Sequence, residues 1–420
     1  MQKKSWVMKA VVLGIIVLMV GSSIVSAING NQSTHPKPMD RGWLYVGGSG
    51  PGNYTKIQDA INASSNGDTV YVYRGIYFEN IILDKSIHLY GEDRNSTYID
   101  GSQHGIVINI KTNPVHIEGF SITRGTKHGI YSETNSYNIV ISSCRLFENN
   151  DPQDHFGQIC LFDANECVIY ENIVFSSDNR GIALHFGSNN EIYQNVVYYN
   201  SMWGAIDVIH CSNNSVYENI VHSNYWGISI NNGSHNRVFN NTVYYNQIGI
   251  MIDWPCHENI ISDNNATANT IGINIGGYQA EDNIISNNTI NYGTSGIHIT
   301  SEGNTIQHNQ ISNTNNGIGI ESTSNNYVIE NYLNKSGVAI LILNATDNQF
   351  LRNTFIDGAR VQAFFLQLSF LQRKNHWEGN YWDSPRFLPK PIFGIIKINY
   401  ILLPWLNFDW RPAQEPYYIP

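Results

Sequence analysis

Glu133, His185, Asp207, Asn231 and Asp253 each fall in the short run that follows one of a series of regularly spaced glycines. If those runs are stacked strands, these side chains share an outward face. Carboxylates and an imidazole on one face can move protons, which makes His185, Asp207 and Asp253 catalytic candidates. His210, His235 and His257 follow in the next turns, beside Cys211 and Cys256. Trp203 and Trp226 precede adjacent glycines and should lie about one coil apart, while Trp254 adjoins Asp253. Tyr198, Tyr199, Tyr244 and Tyr245 suggest a second aromatic stripe. Indole faces stack on pyranose rings. Trp203, Trp226 and Trp254, with Glu133, Asn231 and His210, therefore outline a groove for a polysaccharide or surface glycan. The bland alternative is a hydrated outer face with incidental aromatics.

A second set lies in the longest interval between glycines, from Gly129 to Gly157. Its excess contains Asp151-Pro152-Gln153-Asp154-His155. Asp151, Asp154 and His155 are added to the catalytic candidates, and the two aspartates could instead hold Ca²⁺ through oxygens. The plain alternative is a polar turn insertion. The segment partly resembles the Asp-Pro-His-Asp motif of mannuronan C5-epimerases, with Gln153 where that motif has histidine. A transition-metal reading rests on His210, Cys211, His235, Cys256 and His257. Cys211 and Cys256, two coils apart, would stand roughly 9–10 Å from each other, long for shared ligation. No metal ligand and no cofactor other than Ca²⁺ is assigned.

What must position these residues is a repeat. Glycines at 105, 129, 157, 181, 204, 227, 249, 272, 296, 317 and 337 recur about every 23 residues, each followed by a run alternating apolar and polar. Gly272-Ile273-Asn274-Ile275 and Gly296-Ile297-His298-Ile299 are examples. Later in each coil comes Asn, any, apolar, any, any, Asn. It runs from Asn190/Ile192/Asn195 to Asn348/Phe350/Asn353, eight times in fixed phase. Coils that rise by one strand spacing, ~4.8 Å, put equivalent residues above one another. Like charges in such a column repel, whereas amides can bond up and down it. Asn and Gly also tolerate the left-handed backbone of sharp turns. The reading is an all-β, right-handed parallel β-helix of about 23 residues per coil over 102–360. Helical solenoids are excluded by the period of two, and β-propellers by the repeat length.

Residues 43–101 read as a cap and first coils, with a short amphipathic helix in 54–63 that would cover the open apolar end. Residues 361–420 break the repeat and are rich in Trp, Tyr and Pro, as a second cap or a partner-binding tail would be. The first 27 residues read as a signal peptide: basic Lys3, Lys4 and Lys9, an apolar stretch, then Val25-Ser26-Ala27. An uncleaved membrane anchor is the alternative, and 28–42 is a linker. Export to the exterior or cell surface follows. Charged residues make up 14% of the chain and the net charge is −10, which disfavours nucleic acid as partner. Five cysteines without CxxC spacing disfavour a disulfide framework. Oligomeric state leaves no mark.

The opening Gly50-Pro51-Gly52-Asn53-Tyr54, Ile57-Gln58, Ala60-Ile61, Gly67-Asp68-Thr69-Val70 and Gly75, Tyr77, Glu79 resembles the start of pectin-lyase-like β-helix proteins. With the Asn-x-Ile-x-x-Asn coils behind it, the chain is most similar to the NosD-like group, the carbohydrate-binding and sugar-hydrolase β-helix class. Trp377-Glu378-Gly379-Asn380-Tyr381-Trp382 and Asn407-Phe408-Asp409-Trp410 resemble the tails of archaeal surface members. The resemblance covers about 43–420. It implies the fold and a carbohydrate partner, with a lyase, epimerase or hydrolase as one alternative and copper handling as another. No paired-Asp polygalacturonase signature, Arg-rich lyase signature or defined copper motif is present.

Overall fold

The computed structural model describes residues 42–133, 135–149, 157–357, 361–368, 374–398 and 400–417. The 1–27 signal, nearly all of the 28–42 linker and the 151–155 candidates lie outside them. Among the described residues, no helix is long and apolar enough to cross a membrane.

Three columns of short parallel strands wind into a solenoid of about 14 turns. The first column runs from Thr69–Val72 to His376–Glu378, with Trp43–Val46 paired beneath it. The second runs from Gly75–Phe78 to Tyr381–Trp382, and the third from Ile81–Leu83 to Lys390–Ile398. In the third, Ile228 pairs with Ile250 and Ile250 with Ile273. Their side chains point inward and are fully buried. Period-two alternation thus becomes a continuous column of Ile, Val and Leu, each fully buried side chain contributing about 1.5–3 kcal/mol.

Asparagine builds the corners. Asn172, Asn195, Asn219, Asn241, Asn264, Asn288, Asn309, Asn331, Asn353 and Asn380 form one ladder before the second column. Within it each Nδ2–H and each backbone N–H donates to Oδ1 of the next coil, at 2.9–3.0 Å. A second ladder runs from Asn190 to Asn375 before the first column. A third joins Asn200, Asn224, Asn246 and Asn269. Every arrow points toward the C-terminal end. The first ladder finishes on Asp409, whose Oδ2 accepts Asn380 N–H at 2.9 Å and Nδ2–H at 3.0 Å. A carboxylate suits that position because it has no donor left to satisfy.

One expectation changes. The left-handed residue of each corner is not the ladder asparagine but the one before it: Gln194, Glu218, His308 and Arg352 have φ of 54°, 54°, 55° and 52°. These side chains lie at the surface, where Gln194 donates to Glu218 at 2.9 Å and both His308 and Arg352 pair with Glu330. The asparagine is kept for its amide, which satisfies buried backbone groups that no strand can reach.

Glycine opens most of the third strands for want of space. A Cβ on Gly249 would stand 2.5 Å from the carbonyl oxygen of Gly272, and one on Gly272 would stand 2.6 Å from that of Gly296. Gly319, by contrast, would meet nothing nearer than 3.4 Å. Gly249→Ala is therefore expected to lower stability by about 2–3 kcal/mol and Gly319→Ala to leave it nearly unchanged, read as urea midpoints. Equal midpoints for the pair would contradict the steric account.

At the N-terminal end, helix Ile57–Ala63 buries Ile57, Ala60 and Ile61 against the core. Glu79 accepts the N–H groups of Ile57 and Gln58 at 2.8 and 3.0 Å, supplying the acceptor that its N-cap position, Lys56, does not. At the other end, Ile401–Asp409 returns antiparallel along Lys390–Ile398. Inside, Phe350 stacks on Trp377 at 4.0 Å and Phe355 lies 4.7 Å from Trp382, so aromatic rings take over the column where the repeat ends.

Candidate functional site

The outward side chains of the third column form two rows. One contains Tyr131, Cys160, Ala183, Asp207, Ser229 and Met251. The other contains Phe162, His185, Ile209, Asn231 and Asp253. Asp207 therefore stands one row away from His185 and Asp253. A local shift sets this: Ala205, not Gly204, is level with Gly181 and Gly227, so Asp207, third after its glycine, turns outward in the row of Ala183 instead of inward with Leu184. Two coils and two residues separate Asp207 from Asp253, about 12 Å between Cα atoms. Asp207 is committed to Arg180 in the coil before and Asp253 to the Trp254 N–H in the turn beyond.

What the fold does assemble is centred on Asp207, outward-facing yet buried. Arg180, also buried, donates its Nε–H to Asp207 Oδ2. The Arg180 guanidinium lies 5.2 Å from the Trp203 ring centroid, and Trp203 meets Trp226 edge to face at 5.8 Å and 82°. Tyr225, 44% exposed, packs on Trp226 at 5.5 Å and carries the aromatic surface outward. Asp207 Oδ1 and the Ser229 hydroxyl are buried without a well-formed hydrogen bond. Burial pushes the Asp207 carboxyl above its ordinary range, opposed by Arg180 and by the nearby Ser229 hydroxyl.

His185 stacks on Phe162 at 4.4 Å. Burial, reinforced by the charges of Arg180, His210 and His128, pushes its pKa down to about 3. The ring is neutral at physiological pH. His210 is exposed and stacks on Phe186 at 4.8 Å. His128 is buried, stacks on Tyr131 at 4.7 Å and bonds the Gly157 carbonyl oxygen through Nδ1 at 3.0 Å. Asn231 lies in register with Asp253. Asp253 Oδ1 accepts the Trp254 N–H at 2.9 Å, and burial raises this carboxyl too. Trp254 is 59% exposed in the turn beyond. Glu133 is exposed and 3.3 Å from Lys111. Residues 180, 128, 131, 162 and 229 were not singled out by sequence. Only Arg180 gave a signal, as an isolated cation immediately before a repeat glycine in a chain poor in charge.

Many of the remaining aromatics are unsuited to gripping a ring. Phe147, Phe175, Tyr198, His222 and Tyr244 form one stack at 4.7–5.1 Å, and Tyr170, Tyr193, Tyr217 and Phe239 another at 4.9–5.1 Å. Their faces are occupied by one another, leaving edges to solvent. The anticipated stripe of Tyr198, Tyr199, Tyr244 and Tyr245 is thus a stack of Tyr198 and Tyr244 about His222, with Tyr199 and Tyr245 exposed in the corners.

A second cluster lies on the first column. His88 and His116 are register partners whose rings stack at 4.2 Å and 3°, and Glu118 lies two residues beyond His116 on the same face. Their Nε2 atoms stand 3.5 and 3.4 Å from Glu118 Oε2. The approach of His88, together with the charges of His116 and His88, holds the Glu118 carboxyl below its usual range against the opposing effect of burial.

The model of the family described as periplasmic copper-binding protein (NosD) matches residues 61–254 and 227–386. The chain belongs to the NosD family. A search of curated proteins gave no match. Among solved structures, this NosD-family chain is similar to DFA-IIIase from Arthrobacter chlorophenolicus A6 without its lid, at 12% identity, covering 84% of this chain and 97% of that one with a TM-score of 0.51. It is similar to a cysteine-to-alanine mutant of that enzyme in complex with DFA-III at 13% identity, 79% and 98% coverage and a TM-score of 0.50. The mannuronan C-5 epimerase AlgE4 A-module of Azotobacter vinelandii matches at 14% identity, 76% and 90% coverage and a TM-score of 0.40. The two DFA-IIIase likenesses establish the solenoid and leave activity to the site.

The family description implies copper, and the donors present divide sharply. All five thiols are free and buried. Burial pushes Cys144, Cys167 and Cys211 up to about 12 and Cys256 up to about 11, so they do not offer thiolates. The imidazole–imidazole–carboxylate set of His88, His116 and Glu118 does fit a divalent ion by donor type.

Proposed function

We propose that this chain is an exported carbohydrate-binding solenoid that holds a polysaccharide or surface glycan on the outward face of its third column without turning it over. The observation that carries this reading is the juxtaposition at Asp207. A buried carboxylate oxygen and the Ser229 hydroxyl lack a well-aligned partner beside an open aromatic corner of Trp203, Trp226 and Tyr225. A sugar offers an apolar ring face for Trp226 and the exposed Tyr225, and its hydroxyl groups reach Asp207 Oδ1 and the Ser229 hydroxyl once the side chains covering those buried atoms shift aside. The Arg180–Asp207 pair is prepositioned, so little side-chain entropy is lost on binding.

Binding is favoured over catalysis on two grounds. An imidazole with a pKa near 3 is a weak base, whereas an efficient general base sits near the working pH. The outward carboxylates Asp207 and Asp253 are also committed to Arg180 and to the Trp254 N–H rather than paired across one glycosidic bond. A lyase or epimerase would use His185 as base and Arg180 against a uronate carboxylate, and the charge of Arg180 does reach His185. The test is a glycan array with purified protein, followed by titration of the best ligand into Trp226→Ala, Trp203→Ala and Asp207→Asn. Loss of an indole contact is expected to weaken binding about tenfold or more. The same variants are assayed for cleavage and epimerisation of uronate polymers. Retention of full affinity in Trp226→Ala removes the carbohydrate site. Turnover by wild type that disappears in His185→Ala replaces the binding reading with the catalytic one.

A further inference from the structure

We propose that His88, His116 and Glu118 form a binding site for a divalent late transition ion, with two imidazole nitrogens and one carboxylate oxygen as ligands. The site lies on the first strand column and stands independently of the carbohydrate reading. Sequence spacing hides it, because 28 residues separate the two histidines, but the register sets them directly one above the other.

Three observations converge. The ligand atoms of the three side chains all lie within 4.8 Å of one another, and this is the one such group of His, Cys, Asp or Glu among the described residues. The separations of 3.5 and 3.4 Å between each Nε2 and Glu118 Oε2 match the edge of a tetrahedron with bonds of about 2.0–2.2 Å, roughly 3.3–3.5 Å. His88 Nε2 is buried and makes no well-formed hydrogen bond, so a nitrogen aimed into the cluster has no other occupation. Nitrogen pairs with a carboxylate suit Zn²⁺ and Cu²⁺ and are poor for Ca²⁺ or Mg²⁺, which take oxygen ligands.

The arrangement also indicates what loading changes. The rings are stacked with their planes nearly parallel, so each must tilt to aim its Nε2 lone pair at a shared ion. His116 Nε2 lies 3.1 Å from the Ser142 hydroxyl, and that contact gives way to the ion. Three protein ligands leave at least one coordination position for water or another donor.

The full chain, stripped with chelator and dialysed, is titrated with Zn²⁺ and separately with Cu²⁺, and bound metal is counted after gel filtration. One equivalent per chain is expected. The Cu²⁺ form should show an electron paramagnetic resonance spectrum with coupling to two imidazole nitrogens and no sulfur. His88→Gln/His116→Gln should bind at least about tenfold more weakly, and Glu118→Gln should bind more weakly while keeping the two-nitrogen signature. His235→Gln/His257→Gln, in the corners of other coils, should bind as wild type does. Far-UV circular dichroism verifies that each variant is folded. Absence of uptake by folded wild type overturns the proposal, as does uptake unaffected by the double substitution at 88 and 116. A spectrum without two nitrogens overturns it even if the double variant fails to fold.

Discussion

Asp409→Ala is expected to unravel the C-terminal coils at a cost of about 3–5 kcal/mol. Asp409 is fully buried. Its Oδ2 accepts the Asn380 N–H, the Asn380 Nδ2–H and, at 3.1 Å, the Trp382 Nε1–H, and its Oδ1 accepts the Arg411 N–H at 3.1 Å. Alanine leaves four donors without an acceptor, three of them in the dry interior. The charge matters as well. Every amide in the ladder turns its donor end toward Asp409, so partial positive charge accumulates there as it does at a helix N-terminus. Asp409→Asn should cost less, since one oxygen can still take the three Oδ2 bonds and only the Arg411 N–H is deprived. Solenoid coils contact mainly their neighbours, so damage should stay local. Hydrogen exchange is the suitable measurement: protection should fall over 376–409 and persist over 190–290. Unchanged exchange in the C-terminal coils of Asp409→Ala would refute the assignment of this carboxylate as the ladder's terminus.

Asn219→Asp carries the second large effect, and it depends on pH. Asn219 donates to the carbonyl oxygens of Ile192 and Tyr217 and to Asn241 Oδ1, at 2.9, 3.0 and 3.0 Å, and its Oδ1 accepts the N–H and Nδ2–H of Asn195. An aspartate keeps the acceptor and puts a second oxygen against three oxygens. Its carboxyl must then be protonated in the folded state, with a pKa raised above the unfolded value of about 3.9. A raised folded pKa means that stability is retained below the unfolded pKa and lost as pH rises through the folded one. At pH 4 the protonated group still donates one bond, and the cost should be about 1–2 kcal/mol; at pH 7.5 it should exceed about 4 kcal/mol. Urea midpoints of wild type and variant at the two pH values measure this. A gap that does not widen with pH would mean that the substituted side chain has escaped to water and that the corner is not tightly closed.

The fold was legible in the sequence to an unusual degree because stacking imposes one rule on every coil. Residues related by the repeat share an environment, so Ile228, Ile250 and Ile273 betray the interior and Asn195, Asn219 and Asn241 betray the corner. The site was less legible because function departs from the repeat. Asp207, grouped with His185 by sequence, is third after its glycine where His185 is fourth; Ala205 holds the glycine's place and sets the aspartate level with Ala183, one row away. Before Gly129 the coils are irregular: 19 residues separate Thr69 from its partner His88, and 28 separate His88 from His116. No periodic count could set those histidines together. Burial was also invisible, since Asp207 and His185 read as outward residues and are outward, yet water does not reach them. The thiols at Cys211 and Cys256, considered for metal, proved to be small interior residues that accept N–H groups of Gly187 and Gly233 at 3.2 and 3.4 Å.

The one-way run of the amide ladders has a consequence for how such a molecule can change its length. Each coil shows the same donors to the neighbour above and the same acceptors to the neighbour below. Excising one coil whole brings together two surfaces that already mate, while excising part of one leaves bonds facing nothing. The chain is therefore a ruler graduated in single strand spacings of about 4.8 Å, extendable from within and closed at one end by a carboxylate that accepts and does not pass the bond on.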